Sequence, residues 1–416
     1  MSEVDRRSFL RGAALAGAAT GGAIVGGVGG VGAGAGSAAG DFGGRLEKTN
    51  DSPVFHGTHQ AGILTRRQST AAIVAFDVTA VNAGQLRELL RAVTDRARFL
   101  TSGGTPSNLG ISAPPSDSGI LGPVVSTDSL TITVGLGASI FDDRFGLADR
   151  KPRRLRAMDT FPNDNLDRAQ CDGDLLIQFC ADEVDTVVHA LRDVTRATRG
   201  AMQPRWRIDG AAPKPRPTGA PRNYLGFKDG TANPDATDAT TMNKLVWVQP
   251  GSGEPAWAVG GTYQVVRIIR MLTEFWDRVS VSEQEQMIGR RKDSGAPLSG
   301  RKETDIPNYS NDPGGDTTPL GAHIRVANPR DSATADERIL RRGFNYDRGL
   351  DSNGNLDMGL VFTSFQQDLD RQFVRIQKRL ADEPMVDYIS PVGGGYFFAL
   401  PGIQKSTGWY GSSLLA

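Results

Sequence analysis

Ala71-Ala-Ile-Val-Ala-Phe-Asp-Val78, followed after a short gap by Ala83-Gly-Gln-Leu-Arg-Glu-Leu-Leu-Arg-Ala-Val93, decides the fold class. The first run is almost wholly apolar and reads as a strand. The second sets its apolar residues at helical spacing, so the pair is a β-α unit. Further along, strands are expected over 130–136 and 174–179 and a helix over 184–194, β-α-β-β-α in outline. After about residue 225 the order recurs, with a strand over 261–269, helices over 273–279 and 282–291, a strand over 359–365 and a helix over 369–380.

That repetition predicts a duplicated α+β chain. Each half would be a β-α-β-β-α-β ferredoxin-like domain, its helices on one face of an antiparallel sheet. The expected boundaries are 1–40, 41–220 and 221–416, and 416 residues suit two packed domains of roughly 150 to 200 residues each. Gly/Pro/Asp-rich insertions over 103–122, 209–221 and 294–318 exceed ordinary connections and are expected to wrap a site or an interface.

Lys plus Arg (47) equals Asp plus Glu (47), so no whole-molecule field draws the chain to nucleic acid or to an anionic membrane. Cys171 and Cys180 cannot build a disulfide framework, and the strand-like segment between them would hold them roughly 30 Å apart at about 3.3 Å per residue. Asp5-Arg-Arg-Ser-Phe-Leu-Arg11, ahead of an uncharged Gly/Ala/Val stretch to Gly40, looks like a twin-arginine export signal cleaved near Ala39. Asp5 stands where Ser or Thr is usual. A basic arm with a flexible linker and a membrane anchor are the competing readings; the anchor is disfavoured because Gly-rich segments insert poorly. The expectation is a soluble exported protein, periplasmic or extracellular, of a class that folds before export and often carries a cofactor.

Four histidines make the ligand search short. His189 lies on a helix striped by Val184, Val187, Val188 and Leu191 and is expected to face solvent or a polar contact. His56 and His59 are three apart, but Gly57 and the lack of a carboxylate-rich partner segment weaken a metal reading. His323, in Gly321-Ala-His-Ile-Arg-Val-Ala-Asn-Pro-Arg330, stands beside two arginines with no second histidine, cysteine pair or acidic cluster to complete a zinc shell. A lone axial ligand fits haem, with the arginines pairing the propionates; a satisfied buried histidine at a turn is the alternative. Asp229, in Leu225-Gly-Phe-Lys-Asp-Gly-Thr-Ala-Asn-Pro234, sits either in a specialised site or in an Asx-type turn capping Gly230.

Gly226-Phe-Lys-Asp-Gly230, Ala322-His-Ile-Arg325 with Asn328-Pro-Arg330, and Arg338-Ile-Leu-Arg-Arg-Gly-Phe344 together resemble dye-decolourising peroxidases, haem enzymes built from two ferredoxin-like domains. The likeness runs from about His56 to Gly402 and includes Ser390-Pro-Val-Gly-Gly-Gly-Tyr-Phe-Phe398; its nearest flavour is the exported deferrochelatase/peroxidase-like subfamily. It implies non-covalent haem b between the sheet and helices of the C-terminal half, and no Cys-x-x-Cys-His contradicts that. It further implies His323 as proximal iron ligand, Asp229 as distal acid/base and Arg341 as distal arginine, with Arg342 the adjacent competitor. Arg325 and Arg330 are the propionate candidates, surface salt bridges being the alternative. Glu383 or Asp387 would orient the proximal histidine, Glu383 being preferred on position. The Gly393-Gly-Gly395 stretch is expected to turn.

The resemblance thus implies a peroxidase that uses hydrogen peroxide to oxidise dye-like or phenolic donors by one-electron steps. An aspartate with an ordinary value of about 3.9 implies best activity at acidic pH unless burial raises it. Donors too large for a buried haem imply electron transfer through surface aromatics, with Trp206, Trp247, Trp257, Trp276, Trp409 and the tyrosines as the pool. A deferrochelatase taking iron from haem for iron uptake is the alternative enzyme, and a non-enzymatic haem-binding protein is the alternative class, which would have no use for Asp229 and Arg341. Partners are peroxide, a small-molecule electron donor and the twin-arginine machinery, without nucleic acid; a homo-oligomer is compatible with all of this.

Overall fold

The computed structural model describes residues 53–416, so the segment read as a twin-arginine signal and its expected cleavage point lie outside the described residues. Four strands form the first half: β1 (Thr70–Val78), β2 (Thr131–Gly137), β3 (Leu175–Ala181) and β4 (Met202–Ala211). All their pairings are antiparallel, β1 lying between β3 and β4 and β2 flanking β3. The second half adds β5 (Thr262–Met271), β6 (Leu340–Arg341), β7 (Phe344–Leu350), β8 (Leu356–Gln366) and β9 (Ile389–Ala399). Here β5 lies between β8 and β9, and β7 and the two-residue β6 pair with β8.

The halves are hydrogen-bonded at both seams, β2 to β9 through Gly135↔Ala399 and β4 to β7 through Ala211↔Asn345. Eight strands therefore close into a ring, with β6 as an extra rung on β8. Closure explains why β1 is apolar without alternation. Ala71, Ile73 and Ala75 point into the ring, where they meet Leu176, Ile208, Val266 and Phe397. Ala72, Val74 and Phe76 point outward into a second core. Each fully buried large side chain contributes about 1.5–3 kcal/mol.

Helices α1 (Ala83–Ser102) and α2 (Val184–Ala197) cover the outer face of the first half. The Asn82 carboxamide accepts from Gln85 N at 3.0 Å to start α1, whose buried stripe is Leu86, Leu89, Leu90, Val93, Ala97 and Leu100. The second half carries α3 (Ala239–Leu245), α4 (Thr273–Trp276), α5 (Val281–Ile288), α6 (His323–Ala327) and α7 (Arg375–Arg379). A π-helical turn over Asp370–Val374 precedes α7, so the expected helix over 369–380 is broken into two geometries. Among the described residues no helix is long and apolar enough to cross a membrane.

Several expectations need correction. β4 was not foreseen, because Pro204 and four exposed polar or charged residues, Gln203, Arg205, Arg207 and Asp209, hide its alternation; the proline sits at a register shift against β1, where a missing N–H is tolerated. Gly393-Gly-Gly395 is not a turn but part of β9, with Gly394 at φ +122° and its backbone against Val266. For His189, of the two alternatives solvent and polar contact, the second holds: it is 1% exposed, and its Nε2 meets Asp117 Oδ2 at 2.6 Å. That contact fastens the 103–122 insertion to α2. Cys171 and Cys180 are both free and buried, as their strand separation requires.

Candidate functional site

The outer face of the second half-sheet is built from alternate residues: Ile269 and Met271 of β5, Leu360 and Phe362 of β8, Ile389 and Pro391 of β9. Their neighbours Ile268 and Val361 point the other way, into the ring. Residues of α5, α6 and α7 stand over this floor and enclose a cavity of about 260 Å³.

His323 opens α6 and lines the cavity. Its Nδ1 lies 2.6 Å from Oε2 of the buried Glu383. A carboxylate there fixes Nδ1 as the donor, which leaves Nε2 as the acceptor nitrogen. The imidazole's 33% exposure opens onto the cavity. Burial opposes charge on this ring, but the Glu383 carboxylate outweighs burial and holds the imidazole above its ordinary value. Arg341 and Asp229 act on the same ring with opposite signs, so all three groups share one electrostatic neighbourhood.

Arg341 donates from Nη1 to Asp229 Oδ1 at 3.2 Å, and both side chains line the cavity. The Asp229 loop is held from beneath: Glu303 accepts from Lys228 Nζ at 2.5 Å and from Thr231 Oγ1 and Ala220 N at 2.8 Å. Arg67, from the first half, donates to Gly343 O at 2.7 Å. Burial lowers its value, which Asp229 raises and Arg341 lowers further, so it lies within electrostatic reach of both. Arg342 points elsewhere, to Gln68 Oε1 at 2.6 Å, and is no competitor for the cavity position.

The structure separates the remaining candidates. Arg330 lines the cavity with its Nε buried and without a hydrogen-bond partner. Arg325 does not line it: its guanidinium donates to Thr318 O and Asp312 O at 2.8 Å and lies over the Tyr309 ring, so a propionate role for it is corrected. Asp387 is exposed and outside the lining, which corrects the alternative to Glu383. Sequence reasoning missed Arg338, which lines the cavity beside Arg330; burial and the Arg330 charge both lower its value. No spacing in Arg338-Ile-Leu-Arg341 distinguishes its role. His56 and His59 are taken up by backbone, Nδ1 of each facing Ile403 O at 3.1 Å and Gly260 O at 2.7 Å respectively, and His59 stacks on Trp247.

The residues present fit a porphyrin. Among the described residues no group of three His, Cys, Asp or Glu side chains could hold a bare metal ion, whereas His323 offers one nitrogen. The floor is apolar, and Arg330 and Arg338 supply cationic ends for two carboxylates. Other arginines of the lining are already engaged: Arg267 with Asp164, Arg379 with Glu337, and Arg290 with Gly295 O and Glu303 O.

A buttressed imidazole, a carboxylate–guanidinium pair and an apolar floor share one cavity, which is the set of groups a haem peroxidase needs. The chain belongs to the Dyp-type peroxidase family: the model of the family's N-terminal region matches residues 60–211 and that of its C-terminal region residues 220–404. It is 47% identical over 371 residues to the deferrochelatase of Escherichia coli K12, covering 88% of each chain. It is 46% identical over 379 residues to the deferrochelatase of Yersinia pestis Nepal516, covering 90% of this chain and 87% of that one. Among solved structures it is similar to a DyP-type peroxidase from Cellulomonas bogoriensis, with 36% identity, a TM-score of 0.78, and 88% and 98% of the two chains covered. Ferric DtpA from Streptomyces lividans gives 34%, 0.79, 88% and 97%. The protein is thus a haem-dependent oxidoreductase of the peroxidase class, with its haem held non-covalently.

Proposed function

We propose that this protein reduces hydrogen peroxide and oxidises dye-like or phenolic donors one electron at a time. The 3.2 Å pair of Asp229 and Arg341, sharing the cavity with His323, carries that reading. Haem, when bound, supplies the redox-active iron. His323 Nε2 would be its ligand, and Glu383 would make the imidazole a stronger donor by holding the Nδ1 proton. Arg330 and Arg338, both in the cavity lining, would pair with the propionates. Arg341 holds Asp229 Oδ1, which leaves Oδ2 to accept a proton from one peroxide oxygen and return it to the other. The Arg341 guanidinium offsets the negative charge of the departing oxygen, a preorganised electrostatic contribution worth about 2.7–4 kcal/mol where it has been dissected. A carrier of haem would need none of this distal pair.

The test is rapid mixing of haem-replete protein with peroxide while the Soret band is followed. Arg341→Ala and Asp229→Ala are expected to slow the spectral change about 10²–10³-fold, whereas His323→Ala loses haem. Distal variants reacting at the parent rate would remove the assignment.

A second reading has its own support, since the curated relatives carry the name deferrochelatase. Release of free porphyrin from added haem would establish it here, and intact haem after prolonged incubation would exclude it. We also read the chain as a duplication of a ferredoxin-like domain, supported by the matching orders β2-β3-β1-β4 and β7-β8-β5-β9. Arg6-Arg-Ser-Phe-Leu10 supports export by the twin-arginine route to a periplasm or the exterior.

A further inference from the structure

We propose that Asn233 is the positioning residue of the distal pair, an inference that rests on the peroxidase reading above. Arg341 belongs to a strand of two residues whose one flank pairs with β8, Leu340 against Phe365 and Arg341 against Ser364. On the other flank no strand of the described residues follows. The Asn233 side chain takes that place: Nδ2 donates to Arg341 O at 2.8 Å, and Arg341 N donates to Oδ1 at 3.0 Å. A carboxamide carries one donor face and one acceptor in the spacing of a peptide group, so it can complete a ladder rung that no other side chain of its length can. Aspartate lacks the donor, and glutamine places the same amide one methylene too far.

Asn233 lies four residues after Asp229 and is tied back to it by a turn, its N–H donating to Gly230 O at 3.1 Å, with Gly230 at φ +106°. Lys228 and Thr231 fasten the same loop to Glu303, which says nothing about where Arg341 sits. Among the described residues, the hydrogen bonds joining residues 226–236 to Arg341 are the two from Asn233 and the one between the functional groups themselves. The clasp therefore sets the register of carboxylate against guanidinium without touching the reacting atoms. Displacement of a catalytic group by about 1 Å can cost on the order of 10²-fold in rate.

The experiment compares holoprotein of the parent, Asn233→Ala, Asn233→Asp and the double variant Asn233→Ala/Arg341→Ala. Asn233→Ala is expected to keep its Soret band and its donor KM while the second-order rate constant with peroxide falls about 10- to 100-fold. Its crystal structure should show the Asp229–Arg341 pair opened beyond 3.2 Å. Asn233→Asp retains the acceptor for Arg341 N–H and should fall between parent and Asn233→Ala; it also carries the test if Asn233→Ala does not fold. In the double variant the Asn233 change should add nothing to the loss from Arg341→Ala, because a positioning residue has no effect once its target is gone. A parent-like peroxide rate in Asn233→Ala or in Asn233→Asp, or fully additive losses, overturns the proposal. If the parent itself does not react with peroxide, the peroxidase reading has failed instead.

Discussion

The hydrogen bond between His323 Nδ1 and Glu383 is the contact through which, on the proposed reading, the protein would tune its iron ligand. Removing the charge while keeping the shape, as in Glu383→Gln, should leave haem bound. It should slow the reaction with peroxide about 10- to 100-fold, the usual cost of losing an outer-shell partner, and shift the iron reduction potential upward. Spectroelectrochemistry alongside the mixing experiment reads both, and an unchanged potential would speak against the buttress. At this scale the sequence displayed the identities of His323, Asp229 and Arg341 but not the choice among neighbours. Glu383 and Asp387 bracket one short 3₁₀ turn, Pro384–Asp387, and only the folded turn shows that the first is buried and the second exposed. Arg325 is two residues past His323 on α6, a spacing that never shares a helix face, whereas Arg330 lies beyond the helix at φ +61° and turns back to the cavity.

At the level of elements, the glycines of β9 have a backbone reason. An added Cβ at Gly394 would stand 2.0 Å from Val266 O, in a φ of +122° that other residues rarely adopt. Gly394→Ala should therefore destabilise the fold by more than about 3 kcal/mol, measurable by denaturant unfolding, while an alanine tolerated without loss would contradict the close approach of β5 and β9. The β7–β8 connection offers a pH test. The hydrogen bond from Arg270, at 2.6 Å, is the largest influence pulling Asp351 down to about 2. A lowered carboxylate contributes stability above its unfolded value, and that contribution is lost as pH falls from about 4 toward about 2. Asp351→Asn should flatten that portion of the acid-unfolding curve, and an unchanged curve would remove the linkage. Strands with unbroken apolar runs, β1 and β3, were legible because closure buries both their faces. β4 and β9 were not, because proline and glycine signal turns locally and only a bulge or a close backbone neighbour reverses that meaning.

For the molecule as a whole, closure of the sheet puts one set of helices on the outer face of the first half and the cavity proposed for haem on the outer face of the second. The first half still reaches the site through Arg67. Binding energy at such a cavity is folding energy, so haem loading should raise the thermal midpoint and His323→Ala should abolish most of the rise; equal midpoints with and without haem would contradict a preformed pocket. Export is testable on the precursor, where replacing Arg6 and Arg7 by lysine should retain the protein inside the cell. The most direct measurement is a crystal structure of the haem-reconstituted protein. It should show iron bound by His323 Nε2, with Asp229 and Arg341 over the opposite face of the porphyrin. Iron ligated by another side chain, or a distal face without those two groups, would contradict the site described above.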